Sequence, residues 1–391
     1  MSHTAPNTVL RNARIVLENE IITGSIAWNE DGIIAIDSGP STVGEDVDGD
    51  VVLAGLVELH TDHLENHYGP RPGVRWNTVS AIQAHDAQVA SSGITTVFDC
   101  LRMGTDEDGG WEPGEMRSLA QAMVDSQAQG RLRSEHFIHL RCEVSSPDVL
   151  EDFASFADVP TVRLASLMDH APGQRQFQTM DQYTLYYKTK RGLTDAQFEA
   201  FVARRVEQSK TYSEPHRLAI SEACRAQGIA LASHDDATLD HVDDAKRDGV
   251  ALAEFPTSVE AARASHESGM SVLMGAPNIV RGGSHSGNIA AIDLARLGLL
   301  DVLSSDYVPL SLIHAPFAIA QQEEAISLPQ AIAMVTAIPA HTVGLDDRGT
   351  LEVGKRADIV RVQADVDGKA DADAGFVPVV RSVWRQGTRV A

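Results

Sequence analysis

VVLAGLVELHTDHLENHYGPRPGVRW, residues 51 to 76, carries an apolar run that ends in metal-competent side chains: His60, Asp62, His63, Glu65 and His67. Successive side chains on a strand alternate faces, so His60 and Asp62 are expected to point the same way. One strand end then offers an imidazole and a carboxylate together, as the first strand of a metal-dependent barrel hydrolase would. The competing reading is a buried strand that runs into a polar loop.

Outward from this segment, short apolar runs recur with amphipathic stretches between them, the alternation expected of parallel strands joined by crossover helices. Eight such runs are found: 56–62, 94–100, 137–144, 162–170, 229–236, 251–257, 271–277 and 301–307. Eight is the number that closes a (β/α)8 barrel. Between them, Ser213 to Gln227 stops at Gly228 and Val259 to Ser268 stops at Gly269, each glycine standing where a helix takes a left-handed cap; Gly93 does the same before the second run. Thr194 with Gln197 forms a capping-box pattern, followed by Phe198, Phe201, Val202 and Val206 at helical spacing. This helix falls in an insertion, residues 171–214, long enough either to cover the barrel mouth as a lid or to pack as an ordinary excursion.

The two ends differ from the middle. Residues 9–37 and, near the other terminus, GTLEVGKRADIVRVQ and VVRSVWRQGTRV read as short strands with turn residues, so they are expected to pair as one small β-domain. The expected organisation is 1–54 and 345–391 for that domain and 55–344 for the catalytic barrel.

Composition narrows the function classes. With 391 residues and 43% hydrophobic content the chain can bury a large core. Lys+Arg 32 against Asp+Glu 55 gives a net charge of −23, without a basic cluster, which argues against nucleic acid as a partner. Cys100, Cys142 and Cys224 are widely spaced and form no CxxC pair, so neither a disulfide framework nor a thiolate zinc site is expected. No apolar stretch reaches the about 18 residues of a membrane span, and the first residues lack a signal-peptide pattern. A cytoplasmic enzyme without a membrane partner is expected, with a homodimer as the default assembly.

Barrel chemistry sits at the carboxyl ends of strands. Here those ends carry His60 and Asp62; Arg141 and Glu143; Asp169 and His170; His234, Asp235 and Asp236; Glu254; and Asp306. A set of His60, Asp62, Glu143, His234 and Asp306 suits zinc, manganese or magnesium, with Glu143 as a bridge between two ions. Asp306 is placed to act as general base beside a metal-activated water, against the alternative of a helix N-cap. His170 is read as a ligand, a substrate contact or a ring bonded to Asp169 or the backbone. At least one of Asp235 and Asp236 is expected to cap the helix beginning at Ala237.

A second constellation suits anions. GAPNIVRGGSHSGN, residues 275–288, holds Asn278, Arg281, Ser284 and His285 among glycines ahead of an amphipathic helix, although it lacks the P-loop spacing. Arg71, Arg75, Arg141, Arg175 and Lys188 lie where they can join it at the mouth, and local guanidinium groups bind phosphates even on an acidic chain. Arg75 and Lys188 taken singly read as surface ion pairs.

GLVELHTD after a small strand domain, together with GTLEVGKRADIV near the end, resembles the amidohydrolase superfamily. More narrowly, ELHTDHLENHYGPRP, SGITTV, HLRCE, SLMDHAPGQRQF, ALASHDDAT, LMGAPNIVRGGSHSGN and LSSDYVP resemble its triphosphate diphosphatases of phosphonate utilisation, over nearly the whole chain. The resemblance implies a metal-bearing barrel with a small composite β-sandwich and one or two divalent ions per chain, zinc before manganese or magnesium. It also implies hydrolysis of a phosphorylated ribose phosphonate, α-D-ribose 1-methylphosphonate 5-triphosphate, to the 5-phosphate and pyrophosphate. The usual His-x-His of the superfamily is His60-x-Asp62 here, and the sixth run ends in EFPT where a His ligand is common, so the second imidazole is either missing or supplied by His170. His63 and His67 follow the first motif, and one of them is a candidate phosphate contact. The alternatives are an amidohydrolase or deaminase acting on a C–N bond of a small cyclic substrate, and a scaffold that has lost its metal; the retained His60, Asp62, Glu143, His234 and Asp306 weigh against the last.

Overall fold

The computed structural model describes residues 8–104, 112, 114–172, 184, 193–284, 288–364 and 377–391. Each of the eight apolar runs coincides with a strand, the second and third strands extending beyond their runs: Leu56–Thr61, Ile94–Met103, Glu135–Glu143, Val162–Met168, Ala230–His234, Leu252–Glu254, Ser271–Gly275 and Val302–Ser304. They pair in parallel, each with its neighbour in sequence. The last returns to the first through a parallel bridge between Thr61 and Asp306. At this seam the Asp306 amide donates to the His60 carbonyl at 3.1 Å and the Asp62 amide to the Asp306 carbonyl at 3.2 Å. The barrel is filled rather than hollow: Val57, Leu59, Phe98, Leu164, Ala232, Leu252, Leu273 and Val302 pack into one cluster, with Phe137 of the third strand against it.

Glu58 fastens the seam from within. Its fully buried carboxylate accepts the amide of His60 at 2.7 Å and that of Ser305 at 2.5 Å. Burial pushes its carboxyl up to about 7, against the pull of these hydrogen bonds. The pairing register with the second strand shifts between Glu58 and Thr61, so simple alternation does not run unbroken through this segment.

Two expectations about helices change. The helix that opens with the Thr194–Gln197 capping box does not end before Pro215; it runs from Asp195 to Gln227 and stops at Gly228, whose φ is 68°. Proline costs one backbone donor, but polar anchors hold both sides: Ser209 and Ser213 donate to Asp169 at 2.7 Å each, and Arg217 donates to Asp248 at 2.6 Å. Neither Asp235 nor Asp236 caps the following helix. It spans Leu239–Asp248, and Thr238 caps it by accepting from the His241 amide.

The terminal segments pair as expected. Thr8–Val16, Ile21–Asn29, Gly32–Ser38 and Val51–Ala54 share one sheet with Ile359–Gln363, Val379–Arg385 and Thr388–Arg389. Its core includes Leu10, Ile15, Trp28, Ile359 and Trp384, the two indoles meeting edge to face at 5.1 Å. All three cysteines are free and buried, and no helix among the described residues is long and apolar enough to cross a membrane.

Candidate active site

Glu254 organises the strand ends. Its carboxylate is buried and accepts Nδ1–H of His60 at 3.0 Å on one oxygen. The other oxygen accepts Nδ1–H of His234 at 3.1 Å and the Ser166 hydroxyl at 2.7 Å. Burial pushes its pKa up, but the imidazoles around it, His60 foremost, hold it well below the ordinary carboxylate range. A carboxylate behind a histidine fixes the tautomer and leaves the far nitrogen as a lone-pair donor. His234 is thus left with Nε2 for a ligand, while His60, its ring centroid 5.6 Å away, has its pKa held, against the effect of burial, well above the ordinary imidazole value by Cys100 and Glu254. Burial lowers the pKa of His234, which keeps it neutral, as metal ligation requires.

Asp235 follows the fifth strand directly. Its Oδ2 is buried with no hydrogen-bond partner and lies 3.6 Å from Nε2 of His234 and 4.0 Å from Nε2 of His170. An orphaned buried carboxylate oxygen facing two imidazole nitrogens is costly unless a cation joins them. His170, His234 and Asp235 therefore fit a divalent ion. Reading Asp235 as a cap concealed this; its position one residue beyond a strand end was the available signal.

Backbone strain marks the same rim. Asp235, Phe255 and Asp306 have φ of 56°, 52° and 55°, a left-handed conformation costing about 1–3 kcal/mol each without glycine. All three stand one or two residues beyond a strand, where the chain turns over the mouth. Asp306 caps no helix, since the next one, Ser311–Gln322, begins after Leu310. Its carboxyl is raised to about 6 by burial and by the negative charge of Asp62, with Asp235 adding to them and His60 and Arg141 opposing. Arg141 donates to Asp62 at 3.3 Å, so the third strand brings a guanidinium to this cluster.

Glu143 is placed differently from a bridging ligand. One oxygen accepts from Ser145 at 2.5 Å, from the His170 amide at 3.1 Å and from Arg205 at 3.0 Å. The other accepts Nδ1–H of His170 at 2.7 Å. Burial pushes its pKa up, and the charges of His170 and Arg205 outweigh burial and hold it low. It stands behind His170 as Glu254 stands behind His60 and His234. Arg205, on the helix of the insertion, was not singled out in the sequence because a single arginine on an amphipathic helix reads as surface.

The anion constellation is only partly assembled. Ala276–Arg281 forms a short helix ended by Gly282, with Arg281 exposed. The Asn278 side chain accepts from the Ala291 amide at 3.0 Å, a structural task. Ser284 is half-buried and Arg71 exposed in a turn bridged to Val74. His63 turns to His85, with Nδ1 atoms 3.2 Å apart, and to His67. Arg75 is a half-exposed ion pair with Glu115 at 2.7 Å, as its bland reading expects. Arg175, Lys188 and His285 lie outside the described residues.

The model of the "Amidohydrolase family" matches residues 90–391. The alpha-D-ribose 1-methylphosphonate 5-triphosphate diphosphatase of Escherichia coli (strain K12) is 46% identical over 385 residues, covering 98% of this chain and 100% of that protein. Among solved structures, N-acetyl-D-glucosamine-6-phosphate deacetylase from Mycobacterium smegmatis superposes with a TM-score of 0.63 at 15% identity, over 99% of this chain and 100% of that one. A D-hydantoinase superposes with a TM-score of 0.60 at 14% identity, over 98% and 95%. At such identities the two structures speak for the fold alone.

Proposed function

This chain belongs to the amidohydrolase family, and from that premise we propose that it hydrolyses α-D-ribose 1-methylphosphonate 5-triphosphate to the 5-phosphate and pyrophosphate. The observation that carries this reading is the 46% identity to the Escherichia coli diphosphatase along the full length of both chains.

The residues proposed to hold divalent metal are His60, Asp62, His170, His234, Asp235 and Asp306, in one or two sites, with zinc preferred for its affinity for imidazole and manganese or magnesium as harder alternatives. Glu254 and Glu143 act as positioning residues that orient the imidazoles. The metal, when bound, supplies charge neutralisation at the phosphoryl oxygens and a more acidic water. Asp306, buried beyond the last strand and beside Asp62, accepts the proton of the attacking water on its carboxylate. Arg141 exchanges its contact with Asp62 for phosphate oxygens, whose developing charge a planar guanidinium fits. Arg71, Arg281, Ser284 and Asn278 are second-rank candidates for the outer phosphates. Phosphorylated sugars do not cross membranes unaided, which supports a cytoplasmic location.

Product analysis by 31P NMR tests this reading. It predicts one pyrophosphate and one monoester per substrate consumed; orthophosphate with a 5-diphosphate, or no turnover alongside hydrolysis of a cyclic amide, would overturn it.

A further inference from the structure

We propose that His63, His67 and His85 form a second divalent-metal site, of zinc type, separate from the ligands gathered at the strand ends. His63 immediately precedes the helix Leu64–Tyr68 and His67 lies in its last turn, four residues on, so the two rings share a face, with centroids 4.8 Å apart. His85 comes from the next helix, Thr78–Ser91. One ligand atom from each of the three rings lies within 4.8 Å of the other two.

Three features distinguish this cluster from ordinary packing. Nδ1 of His63 and Nδ1 of His85 are 3.2 Å apart, and zinc with bonds of about 2.0–2.1 Å sets tetrahedral ligand nitrogens about 3.3–3.4 Å apart. Nε2 of His67 is buried without a hydrogen-bond partner, a costly state that coordination would relieve. Finally, Nε2 of His85 lies 2.6 Å from the buried carboxylate of Asp99. That bond puts the proton on Nε2 and leaves the Nδ1 lone pair facing His63, the arrangement of a carboxylate, a histidine and a metal in line. Three imidazole ligands with a fourth position for water select zinc or another borderline ion over calcium or magnesium. An ion there would tie the helix that follows the His60 and Asp62 strand end to the helix of His85.

Crystals of the full-length wild-type chain, grown with zinc and measured across the zinc absorption edge, test the site directly. An anomalous peak enclosed by the three rings is expected, in addition to density at the strand ends; peaks confined to the strand ends would overturn the proposal. In solution, metal-stripped protein is titrated with Co2+ while its visible absorption is followed. His67→Phe and, separately, His63→Asn should each remove one equivalent, and His234→Ala should leave that equivalent in place. Unchanged stoichiometry in either histidine variant that retains the wild-type circular dichroism would refute the site.

Discussion

Glu254, at the end of the sixth barrel strand, lies 3.0 Å from Nδ1 of His60 on the first. The same carboxylate reaches His234 at 3.1 Å. The end of the sixth strand, where the resemblance implies a His ligand, is thus occupied by a carboxylate that orients two imidazoles. Glu254→Gln keeps the shape but replaces the anion, and should weaken metal binding about 10–100-fold, read by competition with a chromophoric chelator. Wild-type affinity in this variant would deny Glu254 its positioning role.

Asp306→Asn should leave the thermal unfolding midpoint near that of wild type while lowering kcat by about 100-fold or more, the usual scale for loss of a general base. A fully active Asp306→Asn enzyme would remove it from the proposed chemistry.

Arg205 pairs with Glu143 at 3.0 Å and ties the long helix to the barrel mouth. Removing one partner of a buried pair strands the other charge, so Arg205→Ala should cost about 3 kcal/mol in denaturant unfolding. The double change Arg205→Met with Glu143→Gln should recover part of that loss. If Arg205→Ala unfolds at the wild-type denaturant concentration, the pair does not anchor the helix.

The architecture was legible because its signals are local and repeated. Eight apolar runs, glycines such as Gly228 at helix ends and the Thr194–Gln197 box each follow from the preferences of a few neighbouring residues. The site was less legible because it depends on distant partners. Nothing near Glu254 in sequence signals that it will face both His60 and His234, and nothing near Glu143 signals Arg205, 62 residues away. Asp235 and Asp236 read as a source of a helix cap because aspartate often is one; only the fold brings Oδ2 of Asp235 within 4.0 Å of two imidazole nitrogens. Asn278 is the converse case, a polar residue in a glycine-rich segment whose side-chain oxygen is also engaged by a helix start that nothing nearby in sequence signals.

His136 gives a pH signature apart from the strand-end ligands, through a carboxylate, Asp99, that it shares with His85. It lies 2.6 Å from Asp99 and 3.2 Å from Asp86. Burial disfavours its charge, but the two carboxylates prevail and raise its pKa from 6.5 to about 9. A raised folded-state pKa stabilises fully below the unfolded value and is lost as pH climbs through the folded one. Wild-type stability should therefore fall between pH 6.5 and about 9 more steeply than that of His136→Gln, measured by urea midpoints across that range. Parallel profiles for the two proteins would show that His136 is not charged in the folded state.

Pyrophosphate release before and after chelation separates a metal-dependent diphosphatase from a C–N hydrolase. α-D-Ribose 1-methylphosphonate 5-triphosphate, ATP and a panel of cyclic amides are each offered to the native, the chelator-stripped and the zinc- or manganese-restored enzyme. Preferential release of pyrophosphate from the ribose phosphonate, abolished by the chelator and restored by metal, is the predicted result. Amide turnover without pyrophosphate release, or release indifferent to chelation, would contradict it.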